Sequence, residues 1–337
     1  MELLNRKKTG KVERPVKVLQ FGEGNFLRAF VDYMIDIANE QGKFNGDIVL
    51  VKPIEFGSLD RFHDQECQYT VQLRGIVDGE PKRINRIVTS VADAVDAYGE
   101  YQKYADYAKL DSLRYIVSNT TEAGIVYDDT DRLEMEPPKS YPGKLTKFLY
   151  ERYKHFNGAM DKGLVMLPVE LIDDNGIHLK ECVEKLAVLW NLEDGFKTWL
   201  DEACVFTSTL VDRIVTGYPR DEAEELCKEF GYQDNLIVTG EPFALWVIES
   251  AKDISKEFPL PDAGLPVIFT DNQKPYKQRK VRILNGAHTS FVLASYLCGN
   301  DIVLESMQDE LIFNFMKATI FDEVIPTLTL PKQDLID

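Results

Sequence analysis

The chain has 337 residues, of which 44% are hydrophobic and 28% are charged. At about 100–200 residues per domain, this length and composition predict two globular domains and exclude a disordered or low-complexity chain. The 39 basic and 56 acidic residues give a formal net charge of −17, the wrong sign for a protein that follows a nucleic-acid backbone.

The cysteine count and the N-terminus bear on the compartment. The 5 cysteines include no CxxC pair, so we expect reduced thiols rather than a disulfide framework or a zinc site. Residues 1–16 are polar and charged and do not resemble a secretory signal, and no stretch approaches the roughly 18 apolar residues of a membrane-spanning helix. No histidine pair has metal-ligand spacing, so no metal is expected. We therefore expect a cytoplasmic protein with neither a membrane nor a nucleic-acid partner.

Predicted strands and helices alternate along the first 200 residues. Residues 16–21 form a β-rich run, and a glycine turn and apolar residues at helical spacing follow at once, which predicts a strand, a turn and a helix. Helices are also expected at residues 98–110 and 145–156. Further buried parallel strands are predicted from compact apolar runs at residues 47–52, 113–118 and 163–168. This alternation predicts an α/β fold with a Rossmann-like, doubly wound sheet.

The pattern departs from this alternation in two places. Residues 69–74 and 83–88, on either side of a turn, predict a β-hairpin inserted in the sheet domain. Beyond it, helical periodicity predicts helices at residues 221–229, 244–253, 282–297 and 305–321. We therefore predict a dinucleotide-binding Rossmann-like domain at residues 1–205 and a mainly α-helical substrate and catalytic domain at residues 206–337.

The turn after the first predicted strand contains Gly22-Glu23-Gly24. Small residues between a strand and a helix let a pyrophosphate approach backbone N–H groups at the positive end of the helix. The third glycine of the usual dinucleotide fingerprint is missing, since Leu27 and Arg28 stand near its place. The turn thus fits both a dinucleotide site and a tight turn in an unrelated α/β protein.

Two more polar segments follow predicted strands. Lys52 closes the second strand, where an acid would favour a free ribose 2′-hydroxyl, so the choice between NAD and NADP stays open, and a solvated strand end is equally possible. The segment Ser118–Gly124, which includes Thr120 and Glu122, falls at the edge of the sheet where ligands bind in such folds. It is predicted to contact a cofactor, with a plain surface loop as the alternative.

The segment that begins at Lys280 places three polar residues on one helix. At about 100° per residue, Asn285 lies about 140° and His288 about 80° around the helix from Lys280, so all three fit one broad face. A buried lysine whose pKa is lowered by desolvation can act as a general acid/base, while Asn285 and His288 hold the reacting oxygen. The alternative is a solvated lysine at a helix start, with Asn285 and His288 satisfying buried polar groups.

Asp212 and Arg213 form a pair between apolar neighbours in the segment 211–215. An acid and an arginine in such surroundings are usually a structural ion pair, and in some enzymes they support a catalytic lysine. The residues alone favour neither interpretation.

Taken together, these motifs resemble the polyol-specific long-chain dehydrogenases, the mannitol dehydrogenase family. The resemblance is carried by Phe21–Phe30, Ser118–Gly124, Val211–Pro219 and the Lys280-x4-Asn285-x2-His288 spacing. Segments similar to the branch of this family that reduces ketouronates in hexuronate breakdown are residues 144–149, 155–163, 170–176 and 283–289. The resemblance spans essentially the whole chain.

The resemblance implies an oxidoreductase that transfers hydride with NAD and without a metal. It implies Lys280 as the general acid/base, Asn285 and His288 as groups that orient the substrate oxygen, and Asp212 as a support for the lysine. Lys277, Arg279 and Arg213 are candidates, on position alone, for binding the anionic substrate, because a local cationic pocket must overcome the overall negative charge. The residues expected to bind the cofactor are Phe21, Gly22, Glu23, Gly24, Asn25, Phe26, Arg28, Lys52, Thr120 and Glu122.

Two features depart from the family pattern. Many polyol dehydrogenases have an asparagine four residues before the asparagine of the Asn175-Gly176 pair; here that residue is Leu171, so one oxygen contact is not expected. Relatives also continue beyond the equivalent of Asp337, so the second domain is expected to be incomplete at its C-terminus. A different ketouronate, a mannitol-type substrate and a non-catalytic nucleotide-binding protein stay open as alternatives, and the sequence does not predict an oligomeric state.

Overall fold

The computed structural model describes residues 1–77, 79–121, 123–328 and 330. Backbone contacts divide the chain into two compact units, unit 1 over Met1–Asp271 and unit 2 beginning at Asn272. The predicted boundary after residue 205 differs from this division. The reason is that strands after residue 205 pair with strands that precede it and so belong to the same unit.

Unit 1 combines strands with helices. Its strands are β1 (Val16–Phe21), β2 (Asp47–Lys52), β3 (Tyr69–Val77), β4 (Glu80–Val88), β5 (Val91–Asp96), β6 (Tyr115–Ser118), β7 (Val165–Pro168), β8 (Val205–Phe206), β9 (Ser208–Asp212), β10 (Val215–Gly217), β11 (Val238–Gly240), β12 (Leu245–Glu249) and β13 (Val267–Thr270). Its α-helices are α1 (Arg6–Thr9), α2 (Asn25–Leu27), α3 (Tyr33–Glu40), α4 (Asp60–Asp64), α5 (Tyr101–Asp106), α6 (Tyr141–His155), α7 (Asn175–Leu189), α8 (Asp194–Glu202) and α9 (Ala223–Phe230). A π-helical segment, Arg28–Asp32, joins α2 to α3.

The main sheet has six parallel strands in the order β5-β2-β1-β6-β7-β8. Side chains of β1 alternate between two apolar cores, Val18 on one face and Leu19 on the other, and both are fully buried. Such two-sided burial is typical of a parallel sheet covered by helices on both faces. Since β1 lies between β2 and β6, the strand order reverses there, as in a doubly wound Rossmann sheet.

Two smaller sheets complete unit 1, one in the order β10-β11-β3-β4 and one in the order β13-β12-β9. The predicted hairpin is confirmed, because β3 and β4 pair antiparallel from Tyr69–Val88 to Val77–Glu80. The predicted helix at residues 244–253 is wrong. Strand β12 lies there between β9 and β13, and Trp246, Val247 and Ile248 are fully buried, so its two-sided apolar pattern resembles that of a buried helix.

The described part of unit 2 is helical. Its α-helices are α10 (Lys274–Arg279), α11 (Gly286–Leu297), α12 (Val303–Gln308) and α13 (Glu310–Ala318). A π-helical segment, Lys280–Asn285, joins α10 to α11 without a break. The helix predicted at 305–321 is interrupted at Asp309, whose carboxylate accepts hydrogen bonds from the first turn of α13. A Rossmann-like sheet domain followed by helices confirms the predicted fold class.

Candidate active site

A cleft of about 420 Å³ opens in unit 1 at the carboxyl ends of β1, β2 and β6. Its walls are formed by Gly22, Glu23, Gly24, Pro53, Ile54, Asn119, Thr120, Thr121, Ala123, Gly124, Val126, Asp128, Lys139, Ser140 and Tyr141. The cleft therefore lies where the order of the sheet reverses, which is the general ligand site of doubly wound folds. The two segments expected to bind a cofactor, after β1 and after β6, meet there.

Gly22 makes the tight turn that ends β1. Its φ is +119°, and a Cβ atom on it would lie 3.1 Å from the Asn119 carbonyl oxygen and 3.2 Å from the Leu27 side chain. Its N–H donates to the Val51 carbonyl oxygen at 2.9 Å. A side chain at this position would thus strain the backbone and push apart the loops that follow β1 and β6.

Gly24 lies at the start of a continuous helical run from Asn25 to Glu40. No side chain caps this helix, and a Cβ atom at Gly24 would have no neighbour within 4 Å. The first backbone N–H groups of a helix lack intrahelical partners and carry partial positive charge. An anionic pyrophosphate can approach them here because Gly24 has no side chain.

Glu23 adds a half-buried carboxylate to the cleft wall. Burial raises the pKa of this carboxyl, while the charges of Lys52 and Arg28 act in the opposite direction. Burial in the cleft wall therefore disfavours the charged form of this carboxyl.

Phe21 and Phe26 pack against other aromatic rings. The Phe21 ring is fully buried and lies 5.0 Å from the Tyr141 ring and 5.9 Å from the Tyr104 ring, measured between centroids. Phe26 stacks on Phe30 at 4.9 Å. Neither ring is part of the cleft wall, although both were expected to bind the cofactor.

Arg28 is 6% exposed and is used inside unit 1. Its guanidinium donates to the Leu236 carbonyl oxygen at 2.5 Å and to the Asn25 side-chain oxygen at 2.6 Å, and it lies 5.2 Å from the centre of the Tyr69 ring. These contacts fasten the helix after the glycine turn to the sheet that contains β3 and β11. Arg28 and Asn25 thus position the turn.

Lys52 is buried at the end of β2, with only 1% of its surface exposed. Its ammonium donates to the carbonyl oxygens of Ile54 at 3.0 Å and Glu55 at 3.2 Å, and it forms an ion pair with Asp96 at 3.1 Å. The lysine shapes the loop that follows β2, and its charge is already neutralised.

Thr120 lines the cleft, but its two hydrogen-bond donors bond a residue that follows the neighbouring strand β7. Both its N–H and its hydroxyl donate to the buried carboxylate of Glu170, which follows β7. Glu122, the other residue predicted in this loop, lies outside the described residues.

Lys280, Asn285 and His288 lie on one helical run of unit 2, as predicted. Lys280 is half-buried, whereas Asn285 and His288 are exposed. The segment between them is π-helical, with the Gly286 N–H bonded to the Val281 carbonyl oxygen five residues earlier. The i→i+5 hydrogen bonds of a π-helix bring residues five positions apart close to the same side of the helix. The angle around the helix between Lys280 and Asn285 is therefore smaller than the angle of about 140° in an α-helix. Such π segments are frequent at functional sites.

Arg213 is 8% exposed and donates to the carbonyl oxygens of Ala29 at 2.5 Å, Phe243 at 3.0 Å and Pro242 at 3.1 Å. Ala29 belongs to the π-helical segment after the glycine turn, so the arginine fastens that segment to the loop before β12. Asp212 is half-buried at the end of β9, opposite Leu245.

Two buried residues that position the site were not among the predicted site residues. Glu170 bonds the loop after β6, and Asn175 donates to the carbonyl oxygens of Pro168, Glu170 and Thr209. Glu170 lies two residues and Asn175 seven residues after β7, at the carboxyl edge of the sheet, and this position was the available signal. Their roles depend on partners up to 52 residues away, which spacing alone does not show.

Family models match the chain in two stretches. The model of the mannitol dehydrogenase Rossmann domain matches residues 16–261, and that of the mannitol dehydrogenase C-terminal domain matches residues 272–337. The chain belongs to the mannitol dehydrogenase family. This result confirms the family that the sequence motifs indicate.

Several curated proteins named altronate oxidoreductase align with nearly the whole chain. The altronate oxidoreductase of Phocaeicola vulgatus is 44% identical over 335 residues, which cover 99% of this chain and 70% of that protein. The altronate oxidoreductase of Yersinia enterocolitica is 46% identical over 337 residues, covering 100% and 70%. That of Pectobacterium atrosepticum is 47% identical over 336 residues, covering 99% and 69%.

Two solved dehydrogenase structures share the fold of this chain. The Pseudomonas fluorescens mannitol 2-dehydrogenase, in a ternary complex with NAD and D-mannitol, has a TM-score of 0.77 at 22% identity and covers 99% of this chain and 72% of that one. A D-sorbitol dehydrogenase in substrate-free form has a TM-score of 0.80 at 21% identity, covering 98% of this chain and 71% of that one.

Within the described residues, no helix is long and apolar enough to cross a membrane.

Proposed function

We propose that this chain is an NAD-dependent oxidoreductase that interconverts D-tagaturonate and D-altronate. The observation that carries the proposal is the 44–47% identity, over nearly the whole chain, to relatives named altronate oxidoreductase. Leu171 agrees with it, because the asparagine contact of many polyol dehydrogenases is absent. The proposal includes a sugar-acid substrate and a cytoplasmic location, with which five free thiols are compatible.

The cleft of unit 1 fits a nicotinamide dinucleotide, and the residues around it favour NAD over NADP. Gly22 and Gly24 leave room for a pyrophosphate at the start of the helix. The Lys52 ammonium is occupied by carbonyl oxygens and Asp96, so it offers no free charge to a 2′-phosphate. When bound, NADH supplies the hydride for the keto carbon of the substrate.

Lys280 is proposed to donate a proton to the keto oxygen during reduction and to take it back during oxidation of altronate. Its ammonium would also stabilise the negative charge that develops on this oxygen. Asn285 and His288 are proposed to donate hydrogen bonds to the same oxygen, and their exposure on the helical run of Lys280 supports this role. The support that the resemblance assigns to Asp212 stays a prediction.

The experiment that tests the proposal follows NADH oxidation with D-tagaturonate and D-fructuronate in parallel. The altronate oxidoreductase of Phocaeicola vulgatus serves as the positive control. We expect kcat/KM to be at least about tenfold higher for tagaturonate, a difference that positioned hydrogen-bond partners readily produce. Faster turnover of fructuronate would assign a different substrate, and NADH binding without turnover of either would favour a non-catalytic protein.

A further inference from the structure

Glu170 is a buried carboxylate two residues after β7, and it does not line the cleft. Its side chain is 2% exposed, and no described residue forms an ion pair with it. Burial raises the pKa of the Glu170 carboxyl, and hydrogen bonds from Thr120 and Ser118 act in the opposite direction. A buried carboxylate is costly unless hydrogen bonds satisfy it, so its partners indicate what it does.

Among the described residues, Ser118 at the end of β6 and Thr120 in the loop that follows donate hydrogen bonds to the Glu170 carboxylate. One carboxylate oxygen accepts from the Ser118 hydroxyl at 3.1 Å. The other accepts from the Thr120 N–H at 3.0 Å and from the Thr120 hydroxyl at 2.9 Å. The carboxylate therefore connects the ends of two neighbouring strands, and it commits both donors of Thr120 to the protein interior.

The loop fixed in this way is a strained wall of the cleft. Thr121 has a φ of +78°, a left-handed conformation that is unfavourable for a β-branched residue. Asn119, Thr121 and Ala123 line the cleft, and the Asn119 carbonyl oxygen faces the space beside Gly22. Such a conformation persists only where surrounding contacts determine it, and the bonds to Glu170 are contacts of that kind.

We propose that Glu170 is a positioning residue for the dinucleotide: it holds the loop after β6 in the shape that binds NAD(H), and it acts through Thr120. This inference rests on the proposed function of the cleft. A loop that is already in its binding conformation loses less conformational entropy when the cofactor binds. Loss of the hydrogen bonds to Glu170 should therefore weaken cofactor affinity without removing a group that touches the reacting atoms.

Glu170→Gln removes the charge and replaces one acceptor oxygen with an NH2 group, while it keeps the size of the side chain. The matched control is Asp234→Asn. Asp234 is also fully buried, accepts a backbone N–H from Thr70 at 2.7 Å and a side-chain donor from Gln65 at 2.9 Å, and does not line the cleft. Both substitutions alter a buried acid of unit 1, but only one of these acids bonds a cleft loop.

The experiment measures the Kd for NADH by fluorescence titration, together with KM for NADH, kcat and Tm. We expect Glu170→Gln to raise Kd and KM for NADH about tenfold, the effect of about one lost hydrogen bond to a charged group, with kcat changed less than about twofold. Asp234→Asn is expected to lower Tm and leave Kd at the wild-type value. As a single variant, Thr120→Val is expected to raise the Kd for NADH. In the double variant with Glu170→Gln it should raise this Kd little further, because the two residues form the same hydrogen bonds.

Wild-type affinity in folded Glu170→Gln, or full additivity with Thr120→Val, would overturn the positioning role while the proposed function stands. A wild-type chain that does not bind NADH would overturn both. If Glu170→Gln does not fold, the Kd of Thr120→Val decides, since an unchanged value contradicts the inference.

Discussion

Lys280 is the residue on which turnover depends in the proposed mechanism. We expect Lys280→Ala to lower kcat by about 10² to 10⁴, the usual contribution of a positioned general acid/base. The Kd for NADH should stay within about twofold of the wild-type value, because the cleft residues belong to unit 1. Stopped-flow and steady-state NADH oxidation measure the first quantity, and fluorescence titration measures the second. The exposed Lys274 provides the control variant Lys274→Ala, and retention of half the kcat by Lys280→Ala would contradict the assignment.

Asp32 gives a prediction on the pH dependence of stability. Burial raises the pKa of its carboxyl from 3.8 to about 7, against the hydrogen bond from the Tyr69 hydroxyl. The folded state therefore binds a proton more tightly than the unfolded state between these two values. The free energy of unfolding of the protein should therefore fall as pH rises from about 4 to about 7. Asp32 contributes at most about 1.4 kcal/mol per pH unit to this fall.

Asp32→Asn tests this prediction, since asparagine still accepts from Tyr69 but does not titrate. Urea unfolding at pH 5 and pH 7 should show a smaller loss of stability in the variant than in the wild type. Equal slopes in the two proteins would show that Asp32 does not bind the proton.

For single residues, the sequence predicts the roles of glycines better than the roles of charged side chains. Gly22 and Gly24 are identified because a turn between a strand and a helix has few possible roles for a glycine. Arg28 and Arg213 look like ligand-binding cations, yet they donate to carbonyl oxygens 208 and 184 residues away. Only the folded backbone brings these partners together.

The strand-turn-helix unit around β1 is the element that the proposed cofactor site requires, and two glycine variants separate its functions. Gly22→Ala should lower the stability by about 1 to 3 kcal/mol and weaken NADH binding, because φ is +119° and the Asn119 oxygen is 3.1 Å from the new Cβ. Gly24→Ala should leave Tm unchanged, since its Cβ has open space, and weaken only NADH binding. Thermal unfolding and NADH titration check both. Equal effects of the two variants on Tm would contradict the distinction.

Some strands are predicted from the sequence with their exact bounds. The predicted strands at residues 16–21 and 47–52 agree with β1 and β2 to the residue. Strand β12 was missed because a central strand buried on both faces has no alternation to distinguish it from a helix. The π-helical segments at residues 28–32, 280–285 and 319–324 have no signal of their own in apolar spacing.

For the whole molecule, the sequence predicts the fold class but not where the units divide. The described strand pairings all lie within residues 1–271, and β3 pairs with β11 across more than 160 positions of the chain. Local periodicity carries no information on such distant pairing, so the predicted boundary falls where helical periodicity begins to dominate instead. The structure places residues 206–271 in unit 1.

This division predicts that a polypeptide of residues 1–271 binds NADH but does not oxidise it. Its Kd should lie within about threefold of that of the 337-residue chain, since the cleft walls are all within it. Turnover should be absent because Lys280, Asn285 and His288 are missing. Calorimetric titration and the NADH oxidation assay measure these two properties, and loss of NADH binding in a folded unit 1 would contradict the placement of the site.

The most direct test of the central claim traces the hydride. The chain is incubated with D-tagaturonate and NADH that carries deuterium at the transferred position, and the product is analysed by NMR and mass spectrometry. We predict D-altronate with one deuterium on the carbon that bore the keto group. NADH binding without altronate, or altronate without deuterium at that carbon, would contradict the proposed reaction.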